Sequence, residues 1–237
     1  MPMPSSVQTW LVQGKRQLLS LVLSSPCPLC QRSASAVLCP SCCRRLRQCQ
    51  TSTPYDPGTD LAVITWGCYE GSLRQAIGSL KYSGHTDLAQ FLGIELGQTW
   101  HRHAPRRDPA ASPVAIVPIP LHASKLQQRG FNQADLLAQW FCRQTRLPLC
   151  SQGLVRSQAT QAQHSLGRSA RQRNLAQAFA VNPAQVRTLR KATVWLLDDI
   201  FTTGATAQAA AQTLRQSGVT VGGICAVARA IAWNADS

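Results

Sequence analysis

Asp198 and Asp199 stand side by side at the end of the apolar run Val194-Trp195-Leu196-Leu197, and the small, hydroxyl-rich segment Thr202-Thr203-Gly204-Ala205-Thr206 follows within a few residues. A helical run over 207–217 comes next. A Gly-containing loop at a helix start presents N–H groups, hydroxyls and the positive dipole end to a phosphate. Carboxylates just before that loop can hold sugar hydroxyls, directly or through Mg²⁺. The simpler reading, an Asp pair that merely caps the next helix, leaves the Thr-Thr-Gly-Ala-Thr segment without a purpose. The pattern therefore points to a sugar phosphate. A second loop, after the apolar run 114–119, carries Lys125 and Arg129 in a stretch that ends Arg129-Gly130-Phe131-Asn132-Gln133. Two cations before a helix start suit a diphosphate. Two anion sites at neighbouring strand ends fit one elongated ligand phosphorylated at both ends.

A third group is near the N-terminus. Six of the 10 cysteines lie between Cys27 and Cys49, and four of them form the pairs Cys27-Pro-Leu-Cys30 and Cys39-Pro-Ser-Cys42. Two C-x-x-C knuckles joined by a short loop match a tetrahedral zinc site. A disulfide framework is the alternative, but it belongs to small secreted domains that lack a core of their own. Cys43 and Cys49 are surplus and able to substitute as ligands. Chelation is expected to loosen 26–50 and leave the rest folded.

The elements that must position these groups read as follows. Residues 1–25 form an amphipathic helix, 26–50 the cysteine module, 51–60 a linker rich in Pro and Gly, and 61–237 an α/β domain. Within the last, strands are expected at 61–69, 114–119, 178–181, 193–200 and 219–228, with a short extended piece beginning at 154–156. Helices are expected at 72–80, 87–103, 132–146 and 206–217. Gln158–Arg173 is rich in Gln, Ala and Arg with few apolar anchors and reads as a mobile loop. Strands interleaved with helices define a mainly parallel sheet flanked by helices. Ligands of such sheets bind beyond the C-terminal ends of the strands, where both anion loops lie.

The 237 residues carry 24 Lys and Arg against 10 Asp and Glu, a net charge of +14. Between Asp135 and Asp198 there is no acidic residue, while nine Arg and Lys occur there. Such a field favours polyanions: phosphorylated small molecules, nucleic acid or an acidic partner. The hydrophobic fraction of 44% supports a real core and excludes a disordered chain. No apolar run is long enough to cross a membrane, and the chain reads as cytoplasmic.

The segment Asp198–Thr206 resembles the signature of type I phosphoribosyltransferases, and the chain as a whole resembles the competence protein F (ComF) family. The resemblance is carried by the paired C-x-x-C, by Leu80-Lys81-Tyr82-Ser83-Gly84, by Pro118–His122, by Arg129–Gln133, and by Thr160-Gln161, Gln163 and Leu166 with Arg173-Asn174. It implies a phosphoribosyltransferase-like fold with a zinc module in front. It also implies that Thr202, Thr203, Gly204, Ala205 and Thr206 cradle the 5-phosphate of phosphoribosyl diphosphate. Asp198 and Asp199 would be the catalytic carboxylates at the ribose. Lys125 and Arg129 would face the diphosphate with Mg²⁺, and Lys81 would add charge. The 158–173 segment would take the place of a closing loop. Lys125 stands where the family usually has arginine, and lysine supplies charge without the bidentate fork. The resemblance also points to transformation competence, with single-stranded DNA and a competence helicase as partners. Three readings follow: a protein that handles incoming DNA, an active phosphoribosyltransferase of nucleotide salvage, and a non-catalytic nucleotide sensor.

Overall fold

The computed structural model describes residues 25–58, 60–105, 112–156 and 178–230. The expected N-terminal helix and the 158–173 loop lie outside the described residues.

A five-stranded sheet forms the centre. Its strands are β3 (Tyr55–Asp56), β4 (Ala62–Cys68), β5 (Val114–Pro118), β8 (Thr193–Phe201) and β9 (Thr220–Arg229). The order is β3-β4-β9-β8-β5. Strands β4, β9, β8 and β5 run parallel, and β3 joins antiparallel at the edge. The expected 51–60 linker thus supplies a two-residue edge strand. Its prolines, Pro54 and Pro57, flank that strand and so remove no donor from it.

The parallel strands are apolar along nearly their whole length because both faces are covered. Side chains alternate across a strand, so each strand feeds two cores. Ile64, Trp66, Ile116, Trp195 and Leu197 enter the first core. Val63, Val117, Val194, Leu196 and Ile224 enter the second. Helices α2 (Gly71–Tyr82), α3 (Leu88–His103) and α5 (Gln133–Thr145) cover the first face. Helices α6 (Val186–Leu189) and α7 (Ala205–Gln216) cover the second. The pieces at 154–156 and 178–181 do not extend the main sheet. They become β6 (Leu154–Arg156) and β7 (Phe179–Val181), a separate antiparallel pair whose Leu154 and Phe179 pack into the second core. The mainly parallel sheet with flanking helices is the expected architecture.

Helices α3 and α5 pack closely through glycines one turn apart. A Cβ on Gly93 would lie 2.7 Å from the Leu137 carbonyl oxygen and 2.7 Å from Trp140 Cβ. On Gly78 of α2 it would meet nothing within 4 Å. Replacing a helical Gly by Ala gains about 1 kcal/mol of propensity, whereas overpacking loses about 1–3 kcal/mol. Gly78→Ala should therefore raise the urea midpoint and Gly93→Ala should lower it, both at unchanged m-value.

The cysteine module is docked on the first face. It contains a two-residue hairpin, β1 (Ser25–Pro26) with β2 (Ser33–Ala34), and helix α1 (Pro40–Arg47), which has Pro at its start. Its Leu29, Leu38, Cys42 and Leu46 belong to the same core as Trp66, Ile77 and Leu80. Arg47 donates from Nε (3.0 Å) and Nη2 (2.8 Å) to Oε1 of Glu95, a residue of α3 only 3% exposed. A buried carboxylate tolerates desolvation only when partnered in this way.

Candidate anion site and cysteine cluster

Strand β8 keeps its pairing with β9 through Asp198 and Ile200 to Phe201, so both carboxylates lie within the paired C-terminal part of the strand. Alternation separates them. Asp199 follows Trp195 and Leu197 toward the first face. There its Oδ2 pairs with Lys81 Nζ of α2, and its Oδ1 accepts from Gln133 Nε2 of α5 at 3.2 Å. Asp199 is 3% exposed. Asp198 stands one position earlier in that alternation, with its carboxyl still interacting with that of Asp199. Its Oδ1 accepts from the Asp199 N–H at 2.8 Å. The residue keeps partial exposure while its carboxyl is desolvated. Burial first, and the charge of Asp199 second, push that carboxyl well above the ordinary carboxylate range.

Beyond Phe201 the chain turns through exposed Thr202 and Thr203 to Gly204, at φ 78°, and enters α7 at Ala205. The left-handed conformation favours glycine. Space does too, since a Cβ there would approach Phe201 Cζ to 2.9 Å. Phe201 thus packs behind the loop and sets its height. Thr203 Oγ1 accepts from the Ala205 N–H at 3.5 Å. The first N–H groups of a twelve-residue helix remain at this end.

The Lys125 and Arg129 segment differs from the expected loop. Residues Ala123–Arg129 form a helix, α4. Its N-cap is His122, whose Nδ1 accepts from the Ser124 N–H at 3.2 Å, and it ends at Gly130 with φ 83°. Asn132 then ties the chain back to the sheet. Its Nδ2 donates to the Ile119 carbonyl at 3.0 Å while its Oδ1 accepts from the Ala134 N–H at 3.1 Å. Helix α4 has no buried residue, and so no apolar stripe announced it.

Lys81, Lys125 and Arg129 line one cavity of about 320 Å³, together with Tyr82, Gly84, Gln128 and Phe131. The structure brings these three cations to one cavity. The Thr202–Thr206 loop is not part of that lining, but it follows the neighbouring strand: Pro118 of β5 is paired with Leu197 of β8. Gln133 links the two regions. It accepts from Arg129 Nη1 and donates to Asp199, so a continuous polar chain runs Arg129–Gln133–Asp199–Lys81. Gln133 closes the motif Arg129–Gln133, but its residue type alone assigns it no role. The signal available was its distance of four residues from Arg129, though Gly130 interrupts the helix between them.

The Sγ atoms of Cys27, Cys30, Cys39 and Cys42 all lie within 4.8 Å of one another. Cys30 and Cys39 sulfurs are 3.5 Å apart. A disulfide needs about 2.05 Å, whereas tetrahedral sulfurs at about 2.3 Å from a metal lie about 3.8 Å apart. The donor set fits a metal ion. Backbone N–H groups build the knuckles: Gln31 donates to the Cys27 carbonyl at 2.8 Å and Cys43 to that of Cys39 at 3.0 Å. The thiols are unequal. Burial opposes ionisation of Cys27, but N–H groups of Cys39, Leu29 and Cys30 outweigh it and bring the thiol down to about 6. Burial pushes Cys42 up to about 12 against the pull of Arg45. Cys43 and Cys49 stand outside the cluster.

Such a molecule is an open, mainly parallel α/β protein with carboxylates and cations gathered at its strand ends and a four-cysteine knot on one face. No family model matches the chain. Among curated proteins it is similar to the DNA utilization protein YhgH of Escherichia coli K12, 32% identical over 205 residues, covering 81% of this chain and 85% of the relative. It is similar to Competence protein F of Haemophilus influenzae, 30% identical over 212 residues and covering 85% and 89% of the two chains. It is also similar to Competence protein ComFC of Bacillus subtilis, at 24% identity over 204 residues, covering 86% and 77%. The chain belongs to the competence protein F family. Among the described residues no helix is long and apolar enough to cross a membrane.

Proposed function

We propose that this protein binds phosphoribosyl diphosphate with Mg²⁺ at the ends of β5 and β8, carries structural zinc on Cys27, Cys30, Cys39 and Cys42, and serves the use of incoming single-stranded DNA in transformation competence. One observation carries the ligand assignment. Lys125 and Arg129 of the cationic cavity follow β5, the Thr202–Thr206 turn follows the adjacent β8, and Asp199 of β8 is paired with Lys81 of the same cavity. A ligand phosphorylated at both ends spans such an arrangement. Thr202, Thr203, Gly204, Ala205 and Thr206 hold its 5-phosphate through N–H groups and hydroxyls. Asp198 takes the ribose hydroxyls, and Asp199 keeps Lys81 turned to the diphosphate. Bound Mg²⁺ would neutralise diphosphate oxygens. The DNA assignment rests on the names of the relatives and on the charge of +14.

Isothermal titration of the zinc-loaded protein with phosphoribosyl diphosphate and Mg²⁺ should show one site. No heat from a folded sample overturns the assignment. Release of diphosphate only when a nucleobase is supplied would make the protein a phosphoribosyltransferase, and binding without release a sensor.

Asp198→Asn should weaken binding about 10- to 100-fold, the loss expected of a charged hydrogen bond. The same change should stabilise the ligand-free protein at neutral pH. A carboxyl whose folded pKa is raised binds more protons in the folded than in the unfolded chain, so stability falls as pH rises between the two values. The asparagine variant should lose that decline, as thermal melts between pH 4 and 8 would reveal.

A further inference from the structure

Tyr82 is the last residue of α2, directly after Lys81, and is 78% exposed. Leu126 and Val155, the other large exposed apolar side chains among the described residues, are at 42% and 43%. The ring is therefore not serving the core. It lines the same cavity as Lys81, Lys125 and Arg129. The Arg129 guanidinium lies 5.3 Å from its centroid, close enough for a cation–π contact that holds the ring beside the cations. A diphosphate needs the cations but has no use for an exposed aromatic plate. Phosphate-binding cations beside an open aromatic ring are the two parts of a single-strand nucleic-acid site, where bases stack on π-faces and the backbone follows positive charge. Lys81 is held by Asp199, while Lys125 and Arg129 have no carboxylate partner among the described residues and are the cations a strand phosphate would meet.

We propose that this cavity takes a nucleotide unit of single-stranded DNA, with its phosphate against Lys125 and Arg129 and its base stacked on Tyr82. The proposal rests on the reading of the cavity as a phosphate site and adds a base to it.

The test uses the full zinc-loaded chain and a fluorescently labelled oligothymidylate at low salt, followed by anisotropy. Tyr82→Phe keeps the π-face and should bind like the unsubstituted protein. Tyr82→Leu should bind about 10- to 100-fold more weakly, as expected for losing one stacked base. An abasic strand of the same length should bind both forms equally and more weakly than thymidylate binds the unsubstituted protein. Thymidine monophosphate, titrated in parallel, separates a free nucleotide from a strand as the source; Tyr82-dependent binding of either supports the stacking site. The proposal is overturned if Tyr82→Leu binds thymidylate and thymidine monophosphate as the unsubstituted protein does. It is also overturned if neither ligand binds, or if the abasic strand binds as tightly as thymidylate. Phosphoribosyl diphosphate lacks a base, so its affinity should be the same for Tyr82→Leu. If it fails to bind any form while thymidylate shows the Tyr82 dependence, the earlier ligand assignment falls and the stacking site stands.

Discussion

A Cys42→Ser protein should be recovered with little or no zinc and should melt about 10 °C below the unsubstituted protein. In a small metal site the free energy of binding is largely free energy of folding. Metal at a thousand times its dissociation constant contributes about 4 kcal/mol, and in a chain of this size each kcal/mol moves the midpoint by about 2–4 °C. Expected from sequence alone, metal loss loosens 26–50 and spares the rest. The shared core extends the effect. Leu29, Leu38 and Leu46 pack in one cluster with Trp66, Ile77 and Leu80, so a module that loses its ligand exposes part of the first face and of α2. Cys43 lies next to Cys42 but outside the cluster, and Cys43→Ser should keep both metal and midpoint. Atomic emission and calorimetry check both variants. A Cys42→Ser chain with a full equivalent of zinc and an unchanged midpoint would remove the site.

The second large effect is expected at Lys81. Its side chain is 16% exposed and that of its partner Asp199 5%. Lys81→Met leaves the Asp199 carboxylate buried without its cation, beside the Gln133 amide and the Asp198 carboxyl. Removing one member of a buried pair loses about 3–5 kcal/mol, whereas replacing both members is often neutral. Lys81→Met should thus be strongly destabilised, and Lys81→Met with Asp199→Asn should recover most of the loss, because asparagine still offers an acceptor to Gln133 without the charge. Urea melts of the two single variants and the double variant close the cycle. A loss below 1 kcal/mol for Lys81→Met would show that the pair is solvated and that Asp199 does not hold the lysine.

The cysteine knot was legible because spacing alone specifies it: two C-x-x-C pairs leave few geometries. The parallel strands were legible because Val114–Pro118 and Val194–Leu197 are apolar without alternation, as burial on both faces demands. Helix α4 was not, since a helix with no buried face has no period to detect. The segments of β6 and β7 are extended by pattern, but no pattern assigns them to a sheet, because pairing is a tertiary fact. The carboxylates show the same limit in one motif. That Asp198 and Asp199 take successive positions in an alternation follows from their place in a strand. That Lys81 and Gln133 meet Asp199 depends on how α2 and α5 pack, which no local pattern contains.

Helix α4 holds two of the cavity's cations on an element that contributes no buried residue. Substitutions along it therefore carry almost no folding penalty, while each one alters the charge and reach presented to a ligand. Core helices such as α3 lack that freedom, as the close approach at Gly93 shows. In evolutionary terms α4 is a place where ligand preference can drift without passing through unstable intermediates. Selection on binding, rather than on folding, should govern how its sequence varies.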